Sequence, residues 1–270
     1  MKAVLDELVD DVAAQAAGLL LVVTGAGVSL ASGIPTFRGS DPGAVWAADV
    51  TELGTNRYFQ DDPAGSWAWY LARFGRLADV APNAAHHALA ALERWQRGRG
   101  GEFLLVTQNV DRLHAAAGSE ALVEVHGRVD RVRCSRQTCA LGAPRGSIAR
   151  ADVPIAAFLA APTDANVPRC PQCNARLRQH VLWFDETYSG HADYGWPRVE
   201  RAAYDAALVI FVVTSFSVGV TDFVLTQAVR RARPVYSIDP GAVEPDPAVR
   251  VIAAPAEQVL PALVAALASS

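Results

Sequence analysis

Leu21-Val22-Val23-Thr24-Gly25-Ala26-Gly27-Val28-Ser29 reads as a buried strand running straight into a glycine turn. Such a turn lets backbone amides approach a pyrophosphate closely, and the alternation that follows along the chain places it in an α/β fold. Leu30 stands where the common dinucleotide fingerprint carries its third glycine, so a ligand-free strand-to-helix turn is the alternative for this stretch alone. Working outward, apolar runs of strand length recur at 19–23, 103–106, 121–125, 208–213, 234–238 and 251–253. Segments with helical patterning, such as 86–97 and 222–232, separate most of them. Apolar strands alternating with helices predict a Rossmann-like, doubly wound parallel sheet covered on both faces.

The 270 residues suffice for one main domain with insertions. Residues 1–39, 84–128 and 181–270 form the expected Rossmann-like part. Residues 40–83 hold several Trp, Tyr and Phe residues and read as a helical module; 129–180 hold the cysteines, several prolines and little periodicity, which predicts an irregular, metal-held insert. The net charge of -4 and a pI near 5.9, without a basic tract, argue against nucleic acid as a ligand. Residues 1–11 carry Asp6, Glu7, Asp10 and Asp11, which suits an amphipathic helix and not a secretory leader. No apolar run reaches the ~20 residues that span a bilayer, so a soluble, cytoplasmic protein without a membrane partner is expected.

The four cysteines fall in two close pairs, Cys134 with Cys139 and Cys170 with Cys173. Cys170-Pro171-Gln172-Cys173 has the spacing by which one turn presents two thiolates to a tetrahedral ion, and the other pair completes an all-thiolate structural zinc site. Free buried cysteines are the alternative.

The glycine turn continues as Ser32-Gly33-Ile34-Pro35-Thr36-Phe37-Arg38-Gly39. Taken with Gly25 to Ser29, it meets every fixed position of the G-A-G-x-S-x-x-S-G-I-P-x-F-R loop, and here the chain resembles the sirtuins, NAD-dependent protein-lysine deacylases. Thr36 at the variable position matches the bacterial and mitochondrial branch that removes succinyl and malonyl groups. The run Thr107-Gln108-Asn109-Val110-Asp111-Arg112-Leu113-His114 matches the family's T-Q-N-x-D-x-L-H, and Glu124-Val125-His126-Gly127 its His-Gly pair.

The resemblance implies NAD as co-substrate, held by Gly25, Ala26, Gly27, Ser29, Thr36, Phe37, Arg38, Gln108, Asn109, Asp111, Thr214, Ser215 and Asp239. Asn109, Asp111 and His126 are the implied catalytic residues, with His126 as general base. In the family the acyl oxygen displaces nicotinamide at the ribose carbon. The base then helps deprotonate a ribose hydroxyl that attacks the imidate, giving nicotinamide, free lysine and O-acyl-ADP-ribose. Read without the family, Asn109 and Asp111 are equally turn residues capping a helix.

Residues 177–186, Leu-Arg-Gln-His-Val-Leu-Trp-Phe-Asp-Glu, resemble the family's L-R-P-x-V-V-x-F-G-E, whose backbone pairs with the substrate peptide. Val181, Trp183 and Phe184 are the implied peptide contacts of an acyl-lysine protein. Gln179 replaces proline and Asp185 replaces glycine, and the second change is expected to put a side chain near the groove. Tyr70 and Arg73 carry the Tyr-x-x-Arg spacing of the desuccinylase branch, with Arg73 suited to grip an acyl carboxylate. An exposed arginine beside a packed tyrosine is the alternative.

The segment 213–220 resembles the family's G-T-S-x-x-V-x-P, with Val213 and Val220 in place of the glycine and proline. A β-branched residue disfavours positive φ, so a rearranged phosphate loop is expected there. Two rival functions share the same pocket, an ADP-ribosyltransferase or NAD glycohydrolase and a non-catalytic NAD sensor.

Overall fold

The computed structural model describes residues 2–35, 49–75, 77–242 and 244–269. Six parallel strands form the main sheet: β1 (Leu19–Thr24), β2 (Glu102–Thr107), β3 (Leu122–Glu124), and after the insert three more. The insert itself supplies β4 (Gly127–Cys134), β5 (Ile148–Ala149) and β6 (Leu177–Val181), so the strands that return to the main sheet are β7 (Ala206–Val212), β8 (Val235–Ile238) and β9 (Val249–Ile252). Their order is β3-β2-β1-β7-β8-β9. The chain winds outward from β1 in one direction, then crosses to β7 and winds in the other. That reversal opens a crevice beyond the carboxyl ends of β1 and β7, where doubly wound folds bind ligands.

Residues alternate faces along β1, as the two-residue period of a strand requires. Leu20 and Val22 enter one core cluster with α1 (Lys2–Ala14), α5 (Ala84–Gly98) and α10 (Ala256–Ser269), through Leu8, Leu89 and Leu260 among others. Leu21 and Val23 enter the opposite cluster with α8 (Trp196–Asp205) and α9 (Gly219–Arg230), through Val199 and Val224. The strand boundaries lie within about two residues of the apolar runs, and the expected N-terminal helix is α1.

Outside the sheet lie short helices, α2 (Asp49–Leu53), α3 (Asn56–Asp61) and α4 (Pro63–Phe74). Asp62 accepts from the Gly65 N–H with proline next in line, which fixes the start of α4. The insert is not irregular, as its weak periodicity had implied. It holds an antiparallel sheet in the order β5-β4-β6, beginning at Gly127 and ending at Val181, slightly beyond the expected limits at each end. The period was obscured because all five residues of β6 are buried, so no face alternates. The helical module and the insert share a single third core of Phe59, Trp67, Val132, Leu177, Trp183 and three of the cysteines.

Candidate active site

The strand ends bring the candidate residues together. The amide N–H of Gly25 bonds the Val212 carbonyl at 3.0 Å and that of Gln108 the Thr24 carbonyl at 3.0 Å, so the first residues past β1, β2 and β7 stay in sheet register. Ala26 to Ser32 then forms a 3-10 turn in place of a long helix. A Cβ at Gly25 would lie 2.5 Å from the Val213 carbonyl oxygen, and one at Gly27 2.1 Å from Cγ1 of Val213. Both glycines are therefore required by the approach of the 213–214 segment. Gln108 Nε2 donates to Thr214 Oγ1 at 3.0 Å, closing the crevice floor between β2 and β7.

Ser29 is the hub of the site. Its hydroxyl accepts from Asn109 Nδ2 at 3.1 Å and donates to Asp111 Oδ2 at 2.7 Å, while the second Asp111 oxygen accepts from the Leu113 N–H at 3.0 Å. Burial raises the Asp111 carboxyl, and these hydrogen bonds counter it. The Asn83 N–H donates to His86 Nδ1, which leaves Nε2–H directed at Ser29 from 3.4 Å. Burial, with His87 alongside, pushes His86 down to about 4, so it is neutral. His114 is buried, with Nε2 3.0 Å from Thr24 Oγ1.

His126 sits past the end of β3. Its Nδ1–H donates to the Gln108 carbonyl at 2.9 Å, which leaves Nε2 unprotonated, 3.4 Å from the Tyr188 hydroxyl. Burial pushes its pKa down to about 4 against the opposing pull of the Gln108 carbonyl. The ring is thus a neutral acceptor at physiological pH, the state a general base needs.

The four cysteine sulfurs converge, all within 4.8 Å of one another, with Cys134 to Cys173 at 3.4 Å and Cys139 to Cys170 at 3.7 Å. A tetrahedron with metal–sulfur bonds of about 2.3 Å has sulfur–sulfur edges of about 3.8 Å. The donor set therefore fits a zinc ion with no open position. The Ala175 N–H lowers the Cys173 thiol to about 7, which favours the thiolate ligand form.

A Sir2 family model matches residues 25–220, a span that takes in the glycine turn, the Ser29 hub, His126 and all four cysteines. The chain belongs to the Sir2 family. Its relatives include an NAD-dependent protein deacylase of Thermus thermophilus, 42% identical over 73% of this chain and 69% of that protein. The NAD-dependent protein deacylase 1 of Pseudomonas aeruginosa is 37% identical over 90% and 92%. Among solved structures, a Sir2 homologue in complex with NAD superposes with a TM-score of 0.77 at 30% identity, covering 98% of this chain and 94% of that one.

Against the Sir2 pattern the departures resolve individually. Val213 adopts positive φ, 43°, despite its β-branch, with its N–H on the Ile238 carbonyl at 2.9 Å. Asp185 does not enter the groove. Its carboxylate accepts from the N–H groups of Asn56 at 2.7 Å and Arg57 at 3.1 Å, capping α3. Asp239 follows β8 at the crevice edge and accepts from the Gly241 N–H at 2.7 Å. Ser215 lies exposed and bonds Ser217, away from the hub. Thr36, Phe37 and Arg38 lie outside the described residues.

Of the peptide candidates, Val181 ends β6, the edge strand of the small sheet, and Phe184 is 55% exposed. Trp183 is buried, with its indole N–H donating to the Tyr70 hydroxyl at 2.8 Å, so it supports the strand from behind. Tyr70 lines a cavity of about 300 Å³ together with Trp67, Phe74, Asp111 and Gln179. Both polar atoms of the buried Gln179 amide lack a partner. Arg73 is half-buried beside Tyr70 and reaches the Pro35 carbonyl at 3.5 Å. Two features escaped the sequence reading. Glu186 joins Arg133 and Arg178 in a buried network behind β6, and Tyr188 stacks over His126; no motif marks Tyr188.

Proposed function

We propose that this protein removes acyl groups from protein lysines with consumption of NAD, His126 acting as the base. The observation that carries the reading is the Asn109–Ser29–Asp111 line at the sheet's switch point, joined to His126 through the neighbouring Gln108, whose carbonyl accepts from the Nδ1–H and so leaves Nε2 unprotonated. NAD supplies the ribose carbon that takes the acyl oxygen when nicotinamide leaves. The chain's part is to hold and deprotonate. Asn109 and Asp111 fix the ribose and nicotinamide end through Ser29, and His126 Nε2 takes a proton from a ribose hydroxyl. The substrate backbone pairs with the chain just past β6, where Phe184 is exposed and the Leu182 N–H bonds the His126 carbonyl, bringing the acyl-lysine toward His126. The deacylase names of the relatives support the reading, and the zinc ion keeps β4 and β6 in place without entering the chemistry. Thiolate ligands of this kind suit a reducing cytoplasm.

For the acyl group we favour chains longer than acetyl. The cavity beside Tyr70 is apolar on its α4 wall and is lined elsewhere by Arg112, Asp130, Arg150 and the orphaned amide of Gln179, so it suits an acyl group with a polar far end. Arg73 lies one turn along α4 from Tyr70, the spacing that the resemblance to the desuccinylase branch assigns to a group that grips an acyl carboxylate. The test is mass spectrometry of acetyl-lysine and succinyl-lysine peptides incubated with the purified protein, with and without NAD. NAD-dependent loss of the acyl group with O-acyl-ADP-ribose formed supports deacylation, and the ratio of rates ranks the acyl groups. Nicotinamide release with both peptides intact would instead favour a transferase or glycohydrolase, and no change at all the sensor.

A further inference from the structure

We propose that Tyr188 is a positioning residue for His126, acting through a hydrogen-bonded line that runs from the first turn of α9 to the base. The proposal rests on His126 being that base. Three near-parallel rings stack at this point: Tyr188 on Trp196 at 4.5 Å and 14°, and on His126 at 5.9 Å and 18°. The Val220 N–H donates to the Tyr188 hydroxyl oxygen at 3.2 Å. With its oxygen so engaged, the hydroxyl turns its one proton toward His126 Nε2 at 3.4 Å, and the Nδ1–H of the same ring is fixed on the Gln108 carbonyl at 2.9 Å. Every donor along the line thus points the same way, Val220 to Tyr188 to His126 to Gln108. The tautomer with a bare Nε2 is the only neutral one that satisfies it.

The line depends on a departure from the family pattern. Val220 occupies the second position of α9, where an N–H has no partner within the helix. The family motif carries proline there, which has no N–H and asks for no acceptor. In this chain the valine N–H is buried and needs one, and Tyr188 provides it while its second contact reaches the base. The ring also covers the helix start, lying 3.5 Å from where a Gly219 Cβ would be. Tyr188 therefore ties the 213–220 loop, which the resemblance places around the nucleotide phosphates, to the base. When a ribose hydroxyl takes the place of the tyrosine proton at Nε2, the ring is already oriented to accept it.

Among the described residues no charged group contacts the His126 ring from the neighbouring strands. Glu124 and Arg128, nearest in sequence, are engaged with Arg112 and Asp130. Asp111 on the β2 side bonds Ser29. The Tyr188 hydroxyl is thus the titratable group facing Nε2.

The test is an NMR titration of the His126 ring nitrogens in the full chain, for the wild type, Tyr188→Phe, Val220→Pro and the double variant, with kcat measured against pH on the same samples. Phenylalanine keeps the ring stack and removes only the hydroxyl. A donor to Nε2 favours the neutral ring, so its loss raises the His126 pKa by about half to one unit, and the acid limb of kcat moves up by the same amount. KM for NAD and peptide stays within about twofold. Val220→Pro, tolerated in a first helical turn, releases the tyrosine oxygen to accept from the imidazolium and moves the pKa in the same direction. In the double variant the proline has no further effect, since the hydroxyl it acts through is gone. A Tyr188→Phe titration that overlays the wild type overturns the proposal, as does a Val220→Pro shift of equal size with and without the hydroxyl. If the wild type removes no acyl group, the base assignment falls, while the titration still decides whether Tyr188 governs the ring.

Discussion

Consider the protein taken from pH 7.5 to pH 5.5. Burial pushes His86 and His126 down to about 4, against about 6.5 for a histidine in an unfolded chain. At pH 5.5 the unfolded chain holds a proton on nearly every such ring, and the folded chain on very few. Stability then rises with pH, because the unfolded state binds the more protons. Each of the two rings removes about 1.3 kcal/mol over this range, or nearly 3 kcal/mol together. Buried His114 and His180 act in the same sense. Buried Asp111 and Glu124, whose carboxyls burial raises, work the other way and partly offset the fall. Against a total of about 5–15 kcal/mol for a domain, the loss is large. The assay is urea unfolding at half-unit pH steps, with the slope m monitored for two-state behaviour. A midpoint that falls steadily below pH 6.5 is expected, and His86→Gln is expected to flatten that fall. A midpoint unchanged between pH 7.5 and 5.5 would refute the burial of neutral imidazoles on which the account of His126 rests.

Further outcomes follow from the same contacts. Ser29→Ala removes the hydroxyl between Asn109 and Asp111, so kcat/KM on an acyl-lysine peptide should fall about 10- to 100-fold, the worth of a hydrogen bond to a charged group. Glu186→Ala strands Arg133 and Arg178, whose side chains are 5% and 4% exposed; thermal melts should show a loss of about 3–5 kcal/mol, with Glu186→Gln losing less. Cys173→Ser should abolish bound zinc by elemental analysis and lower the melting temperature, while far-ultraviolet circular dichroism of the parallel sheet persists. Asp185→Gly removes the acceptor of the first two N–H groups of α3, with the Thr55 cap left in place, for a loss of about 0.5–2 kcal/mol in denaturant unfolding, and should leave the peptide specificity pattern as it was.

The parallel sheet was legible because its strands are buried on both faces and read as unbroken apolar runs, Leu19 to Thr24 above all. Residue type and spacing were legible where they bring side chains into contact: Ser29, Asn109 and Asp111 meet in one hydrogen-bonded cluster, and the four cysteines meet in another. What failed was direction. Sequence placed Trp183 and Asp185 beside the peptide, but a side chain's facing is decided by partners far along the chain, Tyr70 for one and the N–H groups of Asn56 and Arg57 for the other. The small sheet was hidden for a related reason. Its β6 is buried on one side by α4 and on the other by the Arg178–Glu186 network, which erases the alternation that would have marked it. Tyr188 lay beyond reach because its contacts, His126 and Val220, lie 62 and 32 residues away.

Val213 shows how a β-branched residue is held in the left-handed region. A β-branched residue in the left-handed region costs on the order of 1–2 kcal/mol relative to glycine. The loop keeps that conformation because it is determined elsewhere. The Val213 N–H continues the β7–β8 ladder onto Ile238, the Val213 carbonyl faces Gly25, and the Thr214 hydroxyl receives Gln108. Abandoning φ 43° would break these hydrogen bonds together, a larger cost than the strain of one residue. The valine side chain then fills the space beside Gly27, which explains why that position tolerates no Cβ even without a nucleotide in place. The same logic applies at Val220, where the extra N–H is retained because Tyr188 accepts it. In both places the substituted residue is held by a partner on another element, Ile238 for Val213 and Tyr188 for Val220.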